Sequence, residues 1–331
     1  MTENKHQRKL AILGVLKSAG QPVKSAQIAE SLVEQGHEAS ERTVRLYLQE
    51  LDEAGFTRNM GRRGRIITEE GLTELSASQT LARVGFLSAK IDQMTYRMNF
   101  DLARRTGTVV VNTTLLKREQ LAQCADRVCK VFADGYAMGN LLALLEPGEQ
   151  IGDITIPDGM LGFCSVCSVT LNGVLLKHGV PTHSRFGGLL ELQNGRATRF
   201  VEVITYDGTT IDPLEIFIRS GMTDYVGAVT AGSGRIGASF REFPADSRDL
   251  VVELAERLKT VGLGGFLRIG HPGRALLDIP VSEGLAGAIV IGGLNPMAIL
   301  EELGMRVFSR ALSGLLEFNR LFPYHELKAR V

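Results

Sequence analysis

An internal duplication constrains the fold of this chain more than any other feature of its sequence. The segment SRFGGLLEL at 184–192 returns at 309–318 as SRALSGLLEF. A shift of 125 positions also brings Pro147-Gly148 onto Pro272-Gly273 and aligns further single glycines. Glycines mark positions where the backbone needs a positive φ or a close approach, so their matched spacing indicates two copies of one structural unit.

Each copy reads as a strand, a helix, a second strand, a glycine-rich crossing, a second helix and a last strand. We therefore predict an α/β (α+β) body made of two duplicated units, at 107–205 and 233–331, joined by a linker at 206–232. Two related units most simply pack about a pseudo-twofold axis. Clefts between such halves are common ligand sites, so we expect the body to bind a ligand.

The first 55 residues contain three short amphipathic helices. The first begins near Lys5 and is broken by Gly20, and Ser25 can begin the second. Ser40 is a residue type that caps helix N-termini, and the third helix follows it until Gly55. This pattern predicts a compact three-helix head.

The segment after the third helix predicts a hairpin with a basic tip. Two short runs of strand-forming residues flank Gly61-Arg62-Arg63-Gly64. Three helices followed by a two-stranded ribbon are typical of a winged helix-turn-helix, which we place at 1–75. A polar helical connector at 76–106 is expected to lead from this head to the body.

The positions of the arginines in the head predict double-stranded DNA as a partner. The third helix of a winged helix enters the major groove, where exposed polar side chains read base edges. The hairpin carries four arginines and no acid within 58–65, which suits phosphates or the minor groove. The expected DNA-contacting residues are Ser40, Arg42, Thr43, Arg45, Gln49, Arg58, Arg62, Arg63 and Arg65.

Net charge gives no support to this prediction. The chain has 37 basic and 37 acidic residues, so no global field attracts it to nucleic acid or to a membrane. Winged helices also mediate protein contacts, and runs of arginines are often only solvated surface. The order of elements nevertheless resembles, over residues 8–75, the winged-helix domains of bacterial and archaeal regulators and of some exoribonucleases.

The glycine-rich crossing of the first unit carries many polar groups, whereas the second unit has mostly Gly, Ile, Leu and Pro there. An arginine beside hydroxyl residues suits a carboxylate, because a guanidinium pairs with it through two parallel hydrogen bonds. We therefore expect a small carboxylate effector at this crossing. Its expected contacts are Cys164, Cys167, Asn172, His178, Thr182, Ser184, Arg185 and, from the linker, Arg219.

The repeated arginines also admit a purely structural explanation. Arg185 and Arg310 can form matched ion pairs with Glu191 and Glu317, which recur with them in both units. The structural explanation is slightly favoured for Arg310, whereas the polar surroundings of Arg185 favour a ligand.

The spacing of Cys164, Cys167, His178 and His183 superficially resembles a Cys2His2 zinc set. The apolar context favours two ordinary buried thiols, so we predict no metal. The chain shows no phosphate-binding loop, no cofactor motif and no catalytic dyad, and we predict neither a cofactor nor catalytic residues. A small-molecule enzyme, or a thiol or metal sensor, that uses this region remains the alternative.

The compartment expected for this chain is the cytoplasm. Its most apolar run, at 284–300, is interrupted by glycines and a proline and is too short for a membrane span. The apolar residues near the N-terminus fit the first helix of the head better than a signal peptide. Four cysteines in an ordinary apolar context do not indicate a disulfide framework.

Two long segments resemble the effector domain of the NrpR family of nitrogen-regulatory repressors. They are CSVCSVTLNGVLLKHGVPTHSRFGGLLEL at 164–192 and TRFVEVITYDGTTIDPLEIFIRSGMT at 198–223, preceded by a winged helix as in that family. The resemblance implies a DNA-binding repressor of nitrogen-assimilation genes that is dimeric or larger. It also implies release from DNA by 2-oxoglutarate, whose two carboxylates agree with the arginines and hydroxyls of the crossing.

Overall fold

A computed structural model of the chain describes residues 5–34, 40–82 and 86–331. It separates into two compact units, residues 1–84 and residues 85–331, which we call the head and the body. None of the helices among the described residues is both long and apolar enough to cross a membrane.

The head is a winged helix, as the sequence predicts. Its elements are α1 Lys5–Ala19, α2 Ser25–Glu34, α3 Glu41–Glu53, β1 Thr57–Asn59, β2 Arg65–Ile67 and α4 Glu69–Ala82. Strands β1 and β2 pair antiparallel, and Val23 adds a bridge to Arg65. The Oγ of Ser40 accepts a hydrogen bond from the Thr43 amide at 3.2 Å, which caps α3 as expected.

The head extends further along the chain than the predicted boundary at residue 75. That position lies inside α4, and Leu75 is buried in the core of the head with Leu13, Ile28, Leu48 and Leu51. The predicted connector therefore divides between α4, which belongs to the head, and later residues that belong to the body. Residues 83–85 of the connector lie outside the described residues.

The body contains the two predicted copies of one sequence of elements. The first copy is β3 Thr108–Leu116, α6 Arg118–Ala133, β4 Leu141–Leu145, β7 Leu161–Val166, α7 Val169–Lys177 and β8 His183–Gln193. The second copy is β10 Gly234–Pro244, α10 Arg248–Thr260, β11 Phe266–Ile269, β12 Leu285–Ile291, α11 Asn295–Glu302 and β13 Phe308–Glu317. The remaining elements are α5 Phe86–Arg97, β5 Gln150–Ile151, β6 Ile154–Thr155, β9 Arg196–Thr205, α8 Pro213–Arg219, α9 Tyr225–Ala231, β14 Phe322–Pro323 and α12 Leu327–Arg330.

The two copies exchange their last strands. One five-stranded sheet has the order β13-β3-β7-β4-β14, and the other has the order β11-β12-β10-β8-β9. Strand β8 of the first copy thus pairs with β10 of the second, and β13 of the second pairs with β3 of the first. All neighbouring strands in both sheets are antiparallel, as in an α+β fold.

This exchange makes the body one unit with a shared interior. Both of its hydrophobic clusters contain residues from each copy. The region at 206–232, expected to be a linker, folds into α8 and α9, whose Leu214 and Tyr225 are buried in the body. The repeat boundaries of the sequence are therefore not structural boundaries, since residues 183–205 belong to the sheet of the second copy.

The glycine-rich crossings of the two copies face each other. A Cβ added to Gly293, at the second crossing, would overlap the carbonyl of Val166 and the side-chain amide of Asn112. The backbones of the two crossings can approach this closely only because Gly293 lacks a side chain. The polar groups of the first crossing are therefore packed against the second copy.

Candidate nucleic-acid surface and effector site

Helix α3 buries one face and exposes the side chains that the sequence assigns to DNA. Val44 and Leu48 are buried, whereas Arg42, Arg45 and Gln49 are exposed. This is the division expected of a helix that packs on a core and presents its outer face to a groove.

Three of the predicted contacts on and before α3 already have partners inside the head. Arg45 pairs with Glu41 at 2.6 Å and donates to the Ser25 hydroxyl at 3.3 Å. The hydroxyls of Ser40 and Thr43 lie 2.9 Å apart. Of the predicted contacts on α3, Arg42 and Gln49 are exposed and make no such contact with other described residues.

The arginines of the hairpin fall into two groups. Arg58, Arg62 and Arg63 are exposed and make no ion pair with another described residue. Arg65 is only 17% exposed and donates from Nε to Asp52 Oδ2 at 2.8 Å. Asp52 also accepts from the Thr57 hydroxyl at 2.5 Å, so Arg65 joins the base of the hairpin to α3. The predicted DNA contact of Arg65 competes with this internal role.

The polar groups of the first crossing surround an arginine that the sequence analysis missed. Arg241, in β10, is 1% exposed. Its Nη1 donates to Asn172 Oδ1 at 2.5 Å and to Ser184 Oγ at 2.6 Å, and its Nη2 donates to Ser168 Oγ at 2.8 Å. Two predicted effector contacts, Asn172 and Ser184, therefore bind a side chain of the protein.

Strand exchange delivers Arg241 to this position. Arg241 lies opposite Ser184 in the β10–β8 register, and Thr114 lies opposite Ser309 in the equivalent β3–β13 register. In that second position the hydroxyls of Thr114 and Ser309 lie 2.8 Å apart. The duplication thus holds a buried charge at one crossing and a neutral hydroxyl pair at the other.

A small cavity beside the buried arginine is too narrow for an effector. Its volume is about 20 Å³, which holds one water molecule. Cys167, Ser168, Tyr206, Asp212 and Ser239 contribute to its walls. Burial, reinforced by the charge of Glu215, raises the pKa of Asp212 to about 7, although the amides that this carboxylate caps and the charge of Arg241 act in the opposite direction.

The two cysteines of the crossing are buried thiols. Cys164 and Cys167 are 0% and 6% exposed, and burial raises the pKa of each thiol to about 11. A thiol with so high a pKa is mostly protonated near neutral pH, and the thiolate is the form that reacts or binds a metal. The surroundings of both cysteines therefore favour packing over sensing.

The two histidines whose spacing with the cysteines superficially resembles a zinc set lie on the surface. His178 ends α7, is exposed, and its Nδ1 lies 2.8 Å from the carbonyl of Val174. His183 is also exposed, and Thr182 is half-buried near the carbonyl of Val180. Across the described parts of the chain, no three His, Cys, Asp or Glu side chains are grouped so that they could hold a metal.

The two arginines expected to clamp a carboxylate do not share a partner. Arg185 donates from Nη1 to Glu242 Oε1 at 2.9 Å and to the Pro280 carbonyl at 2.7 Å. Arg219 contacts Glu215 Oε2 at 3.4 Å and the Ser309 carbonyl at 3.2 Å.

The structural explanation for Arg185 predicted an ion pair with Glu191, and that partner is wrong. Glu191 pairs with Arg199 at 3.2 Å, whereas Arg185 pairs with Glu242, a neighbour of Arg241 on β10. The sequence held one signal for this pair. Arg241 and Glu242 are two adjacent charges inside the otherwise apolar strand segment GASFREF, a pattern that indicates buried partners.

The two parts of the chain match two families. Residues 10–75 match the ribonuclease R winged-helix domain. Residues 84–323, well over half of the chain, match the NrpR regulatory domains NRD1 and 2. Both resemblances predicted from the sequence are therefore confirmed.

Individual relatives share this order of domains over long alignments. The chain is 31% identical over 322 residues to the global nitrogen regulator NrpRI of Methanosarcina mazei, covering 97% of this chain and 99% of that protein. It is 29% identical over 310 residues to the global nitrogen regulator NrpR of Methanococcus maripaludis, covering 94% of this chain but only 54% of that longer protein.

A solved structure resembles most of the chain. The crystal structure of a nitrogen repressor-like protein from Methanococcus jannaschii superposes with a TM-score of 0.61 at 25% identity. The match covers 71% of this chain and 97% of that one.

Replacing Arg62 and Arg63 by alanine should weaken binding to every duplex, because both side chains are exposed cations suited to phosphates. Each lost phosphate contact should flatten the slope of log K against log salt by about 0.9. Replacing Arg42 should instead reduce discrimination between sequences by about 1–3 kcal/mol. Fluorescence anisotropy across a salt series measures both effects, with Arg104→Ala in the body as the control. Unchanged binding by the double variant would remove the hairpin from the DNA surface.

Proposed function

This chain belongs to the NrpR family of nitrogen regulators, and from that premise we propose that it is a repressor released from DNA by a small dicarboxylate. Membership in a family of regulatory domains makes it a transcriptional regulator and not an enzyme. The proposal depends on one observation. The same chain contains a winged helix with exposed arginines and an NrpR regulatory body.

The head supports the DNA-binding part of this proposal. Arg42 and Gln49 on α3, with Arg58, Arg62 and Arg63 on the hairpin, form a set of exposed donors without internal partners among the described residues. Arg42 and Gln49 are suited to reading base edges, whereas the arginines of the hairpin are suited to binding phosphates.

The effector that we propose is 2-oxoglutarate. Its two carboxylates suit guanidinium and ammonium groups, which pair with carboxylates through strong charge-assisted hydrogen bonds. Effector binding changes DNA affinity only if the ligand prefers one conformation of the chain over another.

Addition of 2-oxoglutarate should release the chain from an operator selected in vitro from random duplexes. An electrophoretic mobility assay measures the release, with succinate and glutamate as matched acids, and recovery of unchanged 2-oxoglutarate tests the absence of turnover. The Arg62→Ala/Arg63→Ala variant serves as a control, since it should lose DNA but keep the thermal shift caused by 2-oxoglutarate. DNA affinity that ignores millimolar 2-oxoglutarate would contradict the proposed effector.

We also propose that the chain acts as a dimer or a larger assembly. One winged helix reads one half-site, so a specific regulator needs two heads at a fixed spacing. Helix α5 supports a contact between chains, because Tyr96 is 82% exposed and Phe86 is 54% exposed. Aromatic side chains such as these are enriched at interfaces between protein chains.

Light scattering at micromolar concentration should give at least twice the chain mass of 36.0 kDa. Tyr96→Glu should lower that mass, because a carboxylate is costly to bury in an apolar contact. Leu176→Glu, a similar change at an exposed position of α7, is the matched control. A strictly monomeric chain, with and without DNA, would rule out the assembly.

A further inference from the structure

The outer face of α3 carries one apolar side chain among polar ones. The exposed residues of this helix are Arg42, Arg45, Leu46, Gln49 and Glu53. Leu46 is 53% exposed, whereas the apolar residues that α3 contributes to the core of the head are Val44, Leu48 and Leu51. Packing within the head therefore does not explain why a leucine occupies position 46.

Leu46 lies in the middle of the stripe that is expected to read DNA. Arg42 precedes it by four residues and Gln49 follows it by three, and these spacings place all three side chains on one face of a helix. With a rise of about 1.5 Å per residue, the stripe from Arg42 to Gln49 is about 10 Å long. That length spans about three base pairs at a spacing of about 3.4 Å.

The charges around Leu46 favour a polyanion as its partner. Three of the four acids of α3 are neutralised within the head: Glu41 pairs with Arg45, Glu50 with Lys5 and Lys9, and Asp52 with Arg65. The fourth, Glu53, is the last residue of the helix. Arg42 and the hairpin arginines are exposed cations, and an apolar protein surface covering Leu46 would have to bury Arg42 as well.

We propose that Leu46 contacts the 5-methyl group of a thymine and thereby contributes to operator specificity. Among the four bases of DNA, only thymine presents a methyl group in the major groove, and apolar side chains recognise it. Arg42 and Gln49, on either side, suit the acceptors of guanine and the edge of adenine. This inference rests on the DNA-binding part of the proposed function and adds an apolar contact to it.

Replacing single thymines by deoxyuridine tests the contact, because this change removes only the methyl group. The duplex is the operator selected in vitro, and fluorescence anisotropy measures the affinity of the full chain for each substituted form. One thymine in each half-site should lose about 3- to 5-fold in affinity when its methyl group is removed, the effect of losing one methyl group from an apolar contact. The Leu46→Ala variant should bind the thymine and deoxyuridine forms of that position equally.

Val33→Ala is the matched control. Val33 is 60% exposed on α2, outside the stripe, so this variant should show the same loss at the same thymine as the parent chain. Leu46→Ala should keep the thermal stability of the parent chain, because the side chain is exposed and alanine favours a helix.

The other outcomes separate this inference from the proposed function. The same dependence on thymine methyl groups in the parent chain and in Leu46→Ala would overturn the inference alone, as would an operator without thymine in its half-sites. A lower mass of Leu46→Ala in light scattering, with unchanged DNA affinity, would assign Leu46 to a contact between chains. Failure of the parent chain to select any duplex would overturn both the inference and the proposed DNA binding.

Discussion

The body depends on one guanidinium that both copies of the repeat surround. Arginine remains charged at all physiological pH values, so burying Arg241 is costly unless hydrogen bonds compensate. Both Nη atoms have acceptors, whereas the buried Nε has no hydrogen-bond partner among the described residues. Asn172, Ser168 and Ser184 come from the first copy and bind Arg241 from the second. The exchanged strand β8 is thereby joined to β10 by side chains as well as by its backbone ladder. The first crossing is consequently filled by the protein itself.

Divergence of the two copies places their repeated arginine in two different surroundings. One half has Glu242 to neutralise its repeated arginine, whereas the other half has Leu115 in the same position and leaves Arg310 beside an open cavity. The repeated arginine therefore forms an ion pair in one copy, whereas in the other it forms none with the described residues. Helix α5 contributes two further cations to that cavity, and it packs on α7 and β13 much as α8 and α9 pack on α11 and β8 in the other half.

The winged helix, the repeat and the order of elements could be predicted from the sequence, because helix caps, glycines and the spacing of apolar residues are local signals. The sequence could not predict the strand exchange, since matched spacing identifies a unit without saying which strand edges pair. For the same reason it missed Arg241, which reaches Asn172 only across that exchange. It also placed Arg65 among free DNA contacts, whereas Asp52, thirteen positions earlier, pairs with it.

The claim that Arg241 fixes the body is tested most directly by urea unfolding of Arg241→Ala beside Arg199→Ala. Removing the guanidinium leaves Asn172 Oδ1 and the Ser168 hydroxyl without their donor, whereas Asn172 Nδ2 can still donate to Ser184 Oγ, 3.1 Å away. The free energy of unfolding should then fall by about 3 kcal/mol or more. The exposed pair of Arg199 and Glu191 should contribute less than about 1 kcal/mol. Equal, small losses in both variants would contradict a shared buried arginine as the basis of the fold.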